Sequence, residues 1–194
     1  MGKGWRTGPD GVAVIRFHVN PTPPTGSRLP PQHVHDAIQE ATAVWEAANP
    51  RLDFRFEGFT DREPRQKDGF SDFSYGSSVV VNRDADGFII EADIIRTAAD
   101  TTDSLTYTTC DWRREGGCAN SGSGKVEVLD MLVHEVGHVV GLDDLRTEDA
   151  RQLTMYTWGQ GPGSRQRVTL GRGDLLGLHT LYPCNCAPPP VYEP

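Results

Sequence analysis

Two histidines and a glutamate in the stretch "LVHEVGHVVGLDDL" (residues 132–145) have the types and spacing that zinc chemistry requires. His134 and His138 are four positions apart, so on a helix they share one face and can bind one ion. Glu135 adds a carboxylate that can serve as a general base. Asp144 stands beyond a glycine that permits a turn, where a third ligand can swing back to the metal. These residues predict a metal site with a base beside it.

Coincidence is the alternative explanation of the H-E-x-x-H pattern. The chain has 6 histidines among 194 residues, and its composition produces the bare pattern in roughly one such chain in a hundred. The glycine and the aspartate at fixed offsets make a chance match rarer. Valines and leucines fill the opposite arc of a helix predicted over residues 126–140, so both imidazoles turn away from its buried side. The pattern therefore favours a metal site.

The ligand set has the form of a catalytic rather than a structural zinc site. A catalytic zinc ion keeps three protein ligands and leaves a fourth position for water. The candidate ligands are His134, His138 and Asp144. Glu135 is the candidate catalytic residue, which takes a proton from the water and passes it to the leaving amine. A structural zinc closes its coordination and has no use for such a base.

The same stretch carries a family resemblance. "HEVGHVVGLDD" resembles the extended zinc motif of the metzincins, H-E-x-x-H-x-x-G-x-x-H, with Asp144 in the third-ligand place. That substitution resembles the snapalysins, which are small secreted bacterial metzincins. "LTMYTW" resembles a Met-turn, with Met155 beneath the metal, and "VTLGRGDLLGLHTLYP" resembles the closing helix of the matrixins. "IIEADII" is similar to strands of their bacterial relatives, and the whole resemblance extends over residues 12–183.

The resemblance implies a zinc metalloendopeptidase that hydrolyses peptide bonds in extracellular protein, with Zn²⁺ as its cofactor. The family spacing selects Asp144 as the third ligand over Asp143 and Glu148. An anionic third ligand leaves the ligated zinc at a net charge of +1, which makes it a somewhat weaker Lewis acid than three histidines would. Tyr156 and Trp158 fall where this family forms the pocket wall for the residue after the cut.

Two other functions remain open on the same residues. One is a catalytically inactive, zinc-containing binding or adhesion module on the same fold. Glu135 argues against that module, because a binding site needs no base. The other is an enzyme that hydrolyses a non-peptide amide. Substrate binding by strand addition at a sheet edge would favour peptides over such an amide.

The elements that must position these residues indicate an α+β chain. The resemblance implies the zincin (metzincin) fold, which is a twisted, mixed and mostly parallel sheet of about five strands with three helices. The Thr-, Gly- and Ser-rich residues 97–125 are expected to form a loop. Alternating or β-branched residues predict strands at 12–19, 51–59, 77–82 and 88–97, and apolar residues at helical spacing predict helices at 32–49, at 126–140 and at the end of 169–183.

Charge and hydropathy restrict the partners. The formal net charge of −8 argues against a groove for nucleic acid, and no run of 18 apolar residues is present to span a membrane. We expect a peptide or protein substrate and a monomer. Residues 1–183 are expected to form the catalytic domain, with a Cys- and Pro-rich tail or linker stub at 184–194. Secretion is expected, although the first residues do not read as a signal peptide.

The four cysteines, an even number, favour disulfides and an oxidising compartment. A bond between Cys184 and Cys186 would close a very small ring, so we expect each of them to pair elsewhere. Their expected partners are Cys110 and Cys118. A four-thiolate zinc site is the rival interpretation, but C-x7-C with C-x-C is an uncommon spacing for it.

The segment "NRDADGFIIEAD" follows the spacing of an EF-hand loop in part. It lacks the first Asp and the final Glu of that loop, and its flanks predict strands rather than helices. A hairpin turn at Asp86-Gly87 is therefore favoured, and a Ca²⁺ ion bound at the turn is the alternative. The ligand-like positions are Asn82, Asp84, Asp86, Gly87 and Asp93. The histidines interpreted as structural or solvated are His18, His33, His35 and His179.

Overall fold

A five-stranded sheet and three helices dominate the structure, a computed structural model that describes residues 2–22, 31–64, 67–95, 106–108, 125–157 and 166–184. The strands are β1 (Ala13–Asn20), β2 (Leu52–Phe59), β3 (Asp72–Ser74), β4 (Ser78–Arg83), β5 (Ile89–Ile95), β6 (Thr106–Thr108) and β7 (Lys125–Glu127). The helices are α1 (Pro31–Ala48), α2 (Val128–Val139) and α3 (Arg172–Leu181), with short 3-10 helices at Glu148–Ala150 and Gln166–Val168.

The main sheet has the strand order β2-β1-β3-β5-β4. β1 pairs in parallel with β2 and β3, and β3 pairs in parallel with β5. β4 runs antiparallel to β5, so β2 and β4 are the two edges of a mixed sheet. β6 and β7 pair in parallel as a separate two-stranded sheet directly before α2.

The core forms where alternate residues of β1 meet the helices. Ile15, Phe17 and Val19 are each at most 1% exposed, as expected for residues that share one face of a strand. The ring of Phe17 stacks on that of Phe73 in β3, with 4.6 Å between ring centroids. The apolar face of α1 belongs to the same core cluster, which fastens that helix to the sheet.

Trp45 joins α1 to α2, the helix that carries the two histidines. Its side chain is fully buried, and its indole Nε1 donates a 2.8 Å hydrogen bond to the carbonyl oxygen of Val133. Val133 directly precedes His134 in the chain. α1 therefore holds the backbone of α2 next to the first candidate ligand.

The predicted α+β class, with a mixed sheet of five strands and three helices, is confirmed. The prediction that all of residues 97–125 form a loop is wrong where β6 and the first residue of β7 lie, and the helix predicted from residue 126 begins at Val128. β3 was not predicted either. Strands of three residues are too short to show an alternation of apolar and polar residues. Within the described ranges, no helix is long and apolar enough to cross a bilayer.

Candidate metal centre

The helix α2 places the two histidines side by side. His134 and His138 lie one turn apart on the same face, and their rings meet edge to face with 4.8 Å between centroids. Apolar residues occupy much of the rest of the helix, and nearly all of them are buried. The His134 side chain is 7% exposed and that of His138 is 21% exposed, so both rings lie at the margin of the core.

Backbone carbonyls fix the orientation and the tautomer of both rings. His134 Nδ1 lies 2.7 Å from the carbonyl oxygen of Thr154, and His138 Nδ1 lies 2.8 Å from that of Leu142. A carbonyl oxygen only accepts, so each Nδ1 carries the proton and donates it. Each Nε2 then keeps its lone pair, which is the state that binds a metal ion. Burial lowers the pKa of His138, and the neighbouring His134 lowers it further, so the neutral form is favoured.

A glycine turn ends α2 and returns the chain to the histidines. Gly141 has a φ of +103°, in the left-handed region that favours glycine. The Gly141 N–H donates to the carbonyl of His138, and the Leu142 N–H donates to that of Gly137. This pair of bonds is a Schellman cap. Two residues later, Asp144 reaches back to the face that the imidazoles occupy.

The candidate carboxylate oxygen lies at tetrahedral ligand spacing from both imidazoles. Asp144 Oδ1 lies 3.4 Å from His134 Nε2 and 3.5 Å from His138 Nε2. Two ligand atoms about 2.1 Å from one zinc ion lie about 3.4 Å apart in tetrahedral geometry. Asp144 Oδ1 is buried and has no hydrogen-bond partner in the part of the chain that the structure describes. The residues present therefore fit a zinc ion, and the three form the group of potential metal ligands found among the described residues.

The charge of Asp144 also suits a ligand. A proton on His134 Nε2 would lower the pKa of this carboxyl to about 2, against burial, which raises it, and a positive charge on His138 would lower it further. At 3.4 Å the contact with His134 is long for a hydrogen bond, and that Nε2 already carries a lone pair. We therefore interpret the arrangement as three acceptors facing one another, rather than as a hydrogen-bonded ion pair. Asp144 is ionised at neutral pH.

The rivals for the third ligand lie elsewhere. Asp143 is exposed to solvent. The Glu148 carboxylate is 81% exposed, accepts a 3.2 Å hydrogen bond from the hydroxyl of Tyr156 and lies 3.8 Å from the guanidinium of Arg151. Neither residue belongs to the group of potential ligands, and Asp144 as the third ligand stays a prediction.

Met155 packs directly against α2. A Cβ atom on Gly137 would lie 2.2 Å from Met155 Sδ and 2.8 Å from an aromatic carbon of Trp45. Only glycine leaves room for that sulfur on the residue before His138. Met155 is 1% exposed, so the methionine predicted to lie beneath the metal is buried against the helix that carries two of the candidate ligands.

Backbone hydrogen bonds join the loop that carries Asp144 to the segment around Met155. The Leu145 N–H donates to the carbonyl of Met155 at 2.7 Å, and the Thr157 N–H donates to the carbonyl of Leu145 at 3.0 Å. Leu145 and Tyr156 thus form a parallel bridge. The loop that carries the third candidate ligand is therefore held by the same segment that supplies the Thr154 carbonyl to His134.

Asp174 anchors that segment, and the sequence interpretation missed it. Its Oδ2 accepts from the N–H groups of Thr154 and Gly171, at 2.9 and 2.8 Å, and its Oδ1 accepts from that of Met155 at 3.1 Å. Burial raises the pKa of this carboxyl, and the N–H groups lower it. The signal in the sequence was the "GRGD" stretch, since an acidic residue at the third position of a helix often accepts from the cap residue.

The remaining predicted site residues have mixed outcomes. Glu135 lies on α2 and is 5% exposed. Tyr156 is 4% exposed, with its hydroxyl on Glu148, while Trp158 lies outside the described residues. The roles predicted for all three stay predictions. Cys184 is disulfide-bonded, but Cys110, Cys118 and Cys186 are not described, so the predicted pairing also stays a prediction.

The segment with EF-hand-like spacing forms the predicted hairpin turn between β4 and β5. Asp84 Oδ1 accepts from the N–H groups of Asp86 and Phe88, both at 2.9 Å. The guanidinium of Arg6 pairs with the carboxylates of Asp84 and Asp86, so a cationic side chain lies where the calcium interpretation puts an ion. Asp93 points away into the sheet, where it accepts from the N–H of Asp72. The turn gives calcium no support.

The other histidines take part in local contacts outside the centre. His18 lies 3.7 Å from a carboxylate oxygen of Asp72, and His179 Nε2 lies 3.3 Å from the carbonyl of Ala48. His35 packs between the rings of two phenylalanines, and His33 is exposed. These placements agree with their interpretation as structural or solvated residues.

Comparisons with known proteins place the chain in a family. Among solved structures it is similar to high choriolytic enzyme 1, a hatching enzyme zinc-protease from Oryzias latipes (Medaka fish), with a TM-score of 0.44 and 12% identity, over 93% of this chain and 94% of that one. No curated protein sequence matches it. The family model described as Matrixin matches residues 13–183, which is most of the chain. The chain therefore belongs to the matrixin family of metzincin metalloproteases.

Proposed function

We propose that this chain is an active zinc metalloendopeptidase that cleaves extracellular peptides or proteins. One observation carries the proposal: the buried Asp144 Oδ1 has no described hydrogen-bond partner and lies 3.4 and 3.5 Å from the Nε2 atoms of His134 and His138. Together these residues offer three ligand atoms to one ion. Membership of a metalloprotease family makes zinc the metal of choice.

Each residue of the site has its own role in the proposed reaction. A zinc ion bound there supplies Lewis acidity, which lowers the pKa of water towards about 7 and polarises a peptide carbonyl. His134 and His138 hold the ion with their Nε2 atoms, and the backbone carbonyls on their Nδ1 atoms keep the rings from turning. Asp144 adds a negative charge to the ligand set. That charge makes the site a milder Lewis acid than three imidazoles would.

Glu135 is the proposed general base. It follows His134 directly, so it is carried on the same turn of α2 as the first ligand. A carboxylate oxygen of Glu135 accepts the proton of the attacking water and then donates it to the nitrogen of the leaving amine. Such a base contributes roughly 10² to 10⁴-fold to a reaction rate. An inactive binding module on this fold would have no use for it.

The sheet edge supports a peptide substrate. β4 pairs with β5 on one side and is the last strand of the five-stranded sheet. The N–H and C=O groups on the outer side of an edge strand can pair with an extended peptide, which gains backbone hydrogen bonds whatever its side chains. This edge favours peptides over a small non-peptide amide. We also propose that residues 1–183 act as one catalytic domain and that the protein works outside the cell.

Digestion of a mixed peptide library tests the proposal directly. The protein, supplied with one equivalent of zinc, should cut internal peptide bonds, and mass spectrometry of the products should show both new termini. The Glu135→Gln variant, loaded in the same way, is the matched control. Zinc binding without any cleavage by the parent protein would favour the inactive binding module. Cleavage confined to non-peptide amides would favour an enzyme that acts on such amides instead of peptides.

A further inference from the structure

The last carbonyl groups of α2 are capped by residues from both ends of the chain. The final turn of a helix leaves carbonyls without partners inside the helix. Here the indole Nε1 of Trp5 donates to the carbonyl of Val139 at 2.8 Å. The hydroxyl of Tyr182 donates to the carbonyl of Val140, also at 2.8 Å. The backbone N–H of Trp5 donates to the oxygen of that hydroxyl at 2.9 Å, so the two caps form one hydrogen-bonded chain.

The N-terminal strap, defined here as residues 2–6, lies directly on the turn that follows α2. A Cβ atom on Gly141 would lie 3.3 Å from the Cα of Gly4, so the two backbones are in contact. A Cβ atom on Gly4 would lie 2.3 Å from the hydroxyl of Tyr182, so this position has no room for a side chain. The Ile89 N–H donates to the carbonyl of Gly4 at 3.0 Å, which fastens the strap to β5.

The capped turn is the one that leads from the second candidate ligand to the third. Val139 follows His138 directly, and the carbonyl of Leu142 accepts the Nδ1 proton of that histidine. Asp144 follows two residues later. Any shift of the end of α2 is therefore passed to the His138 ring and to the Asp144 carboxylate.

We infer that Trp5 and Tyr182 are positioning residues for the metal centre. By holding the end of α2 and its turn, they set the distance between the Asp144 carboxylate and the two imidazoles. The inference rests on the proposed zinc site and extends it to residues far from the motif. Neither residue contacts the ion or the substrate in this account, and both act through the backbone.

Two conservative variants test this role. Trp5→Phe removes the indole N–H, and Tyr182→Phe removes the hydroxyl, while each keeps an aromatic ring in place. Zinc affinity is measured by competition with a chromophoric chelator. Each variant should bind zinc about tenfold more weakly, since losing a partner that orients a ligand typically costs 10 to 100-fold in metal affinity. Urea unfolding of the metal-free proteins records any general loss of stability separately.

Arg6→Gln is the matched control in the same strap. Arg6 pairs with Asp84 and Asp86 of the hairpin, and its described contacts do not include α2. This variant loosens the attachment of the strap without removing a cap. Its zinc affinity should stay within about twofold of the parent value, well below the smallest effect expected for an orienting partner.

Repeating Trp5→Phe in an Asp144→Ala background separates positioning from general destabilisation. Without the third ligand only the His138 ring is left to position, so the effect of Trp5→Phe on zinc affinity should be clearly smaller than it is when Asp144 is present. Unchanged affinity in both single variants overturns the inference, and so does a loss of the same size with and without Asp144. If the parent protein binds no zinc, the proposed function itself is contradicted. The zinc titration of the parent protein alone shows this, so that failure is told apart from failure of the positioning role.

Discussion

At the scale of single residues, the three candidate ligands differ in what holds them. His134 and His138 each use Nδ1 to donate to a backbone carbonyl, which leaves a lone pair on Nε2. Asp144 Oδ1 has no hydrogen-bond partner among the described residues, and it faces the Nε2 atoms of the two histidines. Three acceptor atoms that face one another are stabilised by a cation between them. This mutual arrangement, rather than any single residue, supports the metal site.

Replacement of Glu135 should remove catalysis and leave the metal bound. In Glu135→Gln the side chain keeps its size but can no longer take up a proton, so the rate of peptide hydrolysis should fall roughly 10² to 10⁴-fold. Zinc content, measured by atomic absorption on the same preparation, should match that of the parent protein. Parental hydrolysis by this variant would remove the proposed base from the mechanism.

Asp144 and its neighbour provide a matched pair of variants. Asp144→Ala removes one of three ligands and should weaken zinc binding more than about a hundredfold, beyond the effect of losing an orienting partner. Asp143→Ala removes an exposed carboxylate of the same charge one residue away, and should change affinity little. Equilibrium zinc titrations decide between them. Loss of the metal in Asp143→Ala and its retention in Asp144→Ala would show that the ligand is the other aspartate.

At the scale of elements, α2 depends on close contact with its neighbours. Gly137 faces the sulfur of Met155 and the ring of Trp45 at distances that exclude a side chain. Gly137→Ala should lower the free energy of unfolding by about 1 to 3 kcal/mol, because overpacking outweighs the helix propensity that alanine adds. Urea unfolding of the metal-free protein measures this. The penalty should shrink in a Met155→Ala background, and an equally large penalty there would rule out the contact as its cause.

On β5, a buried carboxyl makes stability depend on pH. Burial raises the pKa of Asp93 from 3.8 to about 7. The hydrogen bond from the Asp72 N–H lowers this pKa, and the negative charge of Glu91 raises it. Its Oδ2 is buried and without a hydrogen-bond partner in the ranges described. The folded state therefore binds more protons than the unfolded state between about pH 4 and 7. In that window the free energy of unfolding falls as pH rises, by up to about 1.4 kcal/mol per unit.

The Asp93→Asn variant checks this dependence. Asparagine can still accept the Asp72 N–H but carries no charge, so the fall in stability between pH 5 and pH 8 should be smaller in the variant. Urea midpoints are compared in metal-free protein, because zinc binding has a pH dependence of its own. A slope equal to that of the parent would show that this carboxyl is not the group that titrates.

At the scale of the whole molecule, the sequence predicts what repeats with a local period and misses what joins distant segments. The histidine pair, the alternation of β1 and the glycine turn are local, so their spacing can be read directly. Trp5 and Val139 are 134 residues apart, and Trp5 and Tyr182 are 177 apart. Their hydrogen bonds go to backbone atoms or to a hydroxyl, and no spacing in the sequence marks such partners.

The predicted centre rests on residues within one short stretch, while its supports come from three other parts of the chain. Asp174 at the start of α3 holds the segment whose Thr154 carbonyl orients His134. The N-terminal strap and Tyr182 hold the end of α2. A motif can therefore indicate the ligands, whereas the precision of their placement depends on the complete fold.

Zinc reconstitution with paired readouts tests whether hydrolysis by this protein depends on the zinc site. Protein stripped of metal by a chelator is titrated with zinc, while bound zinc and hydrolysis of a quenched fluorescent peptide library are followed together. We expect no hydrolysis in the stripped protein, and activity that rises in proportion to bound zinc and saturates at one ion per chain. Full hydrolysis by the stripped protein, or saturation of one tight site without any hydrolysis, would contradict it.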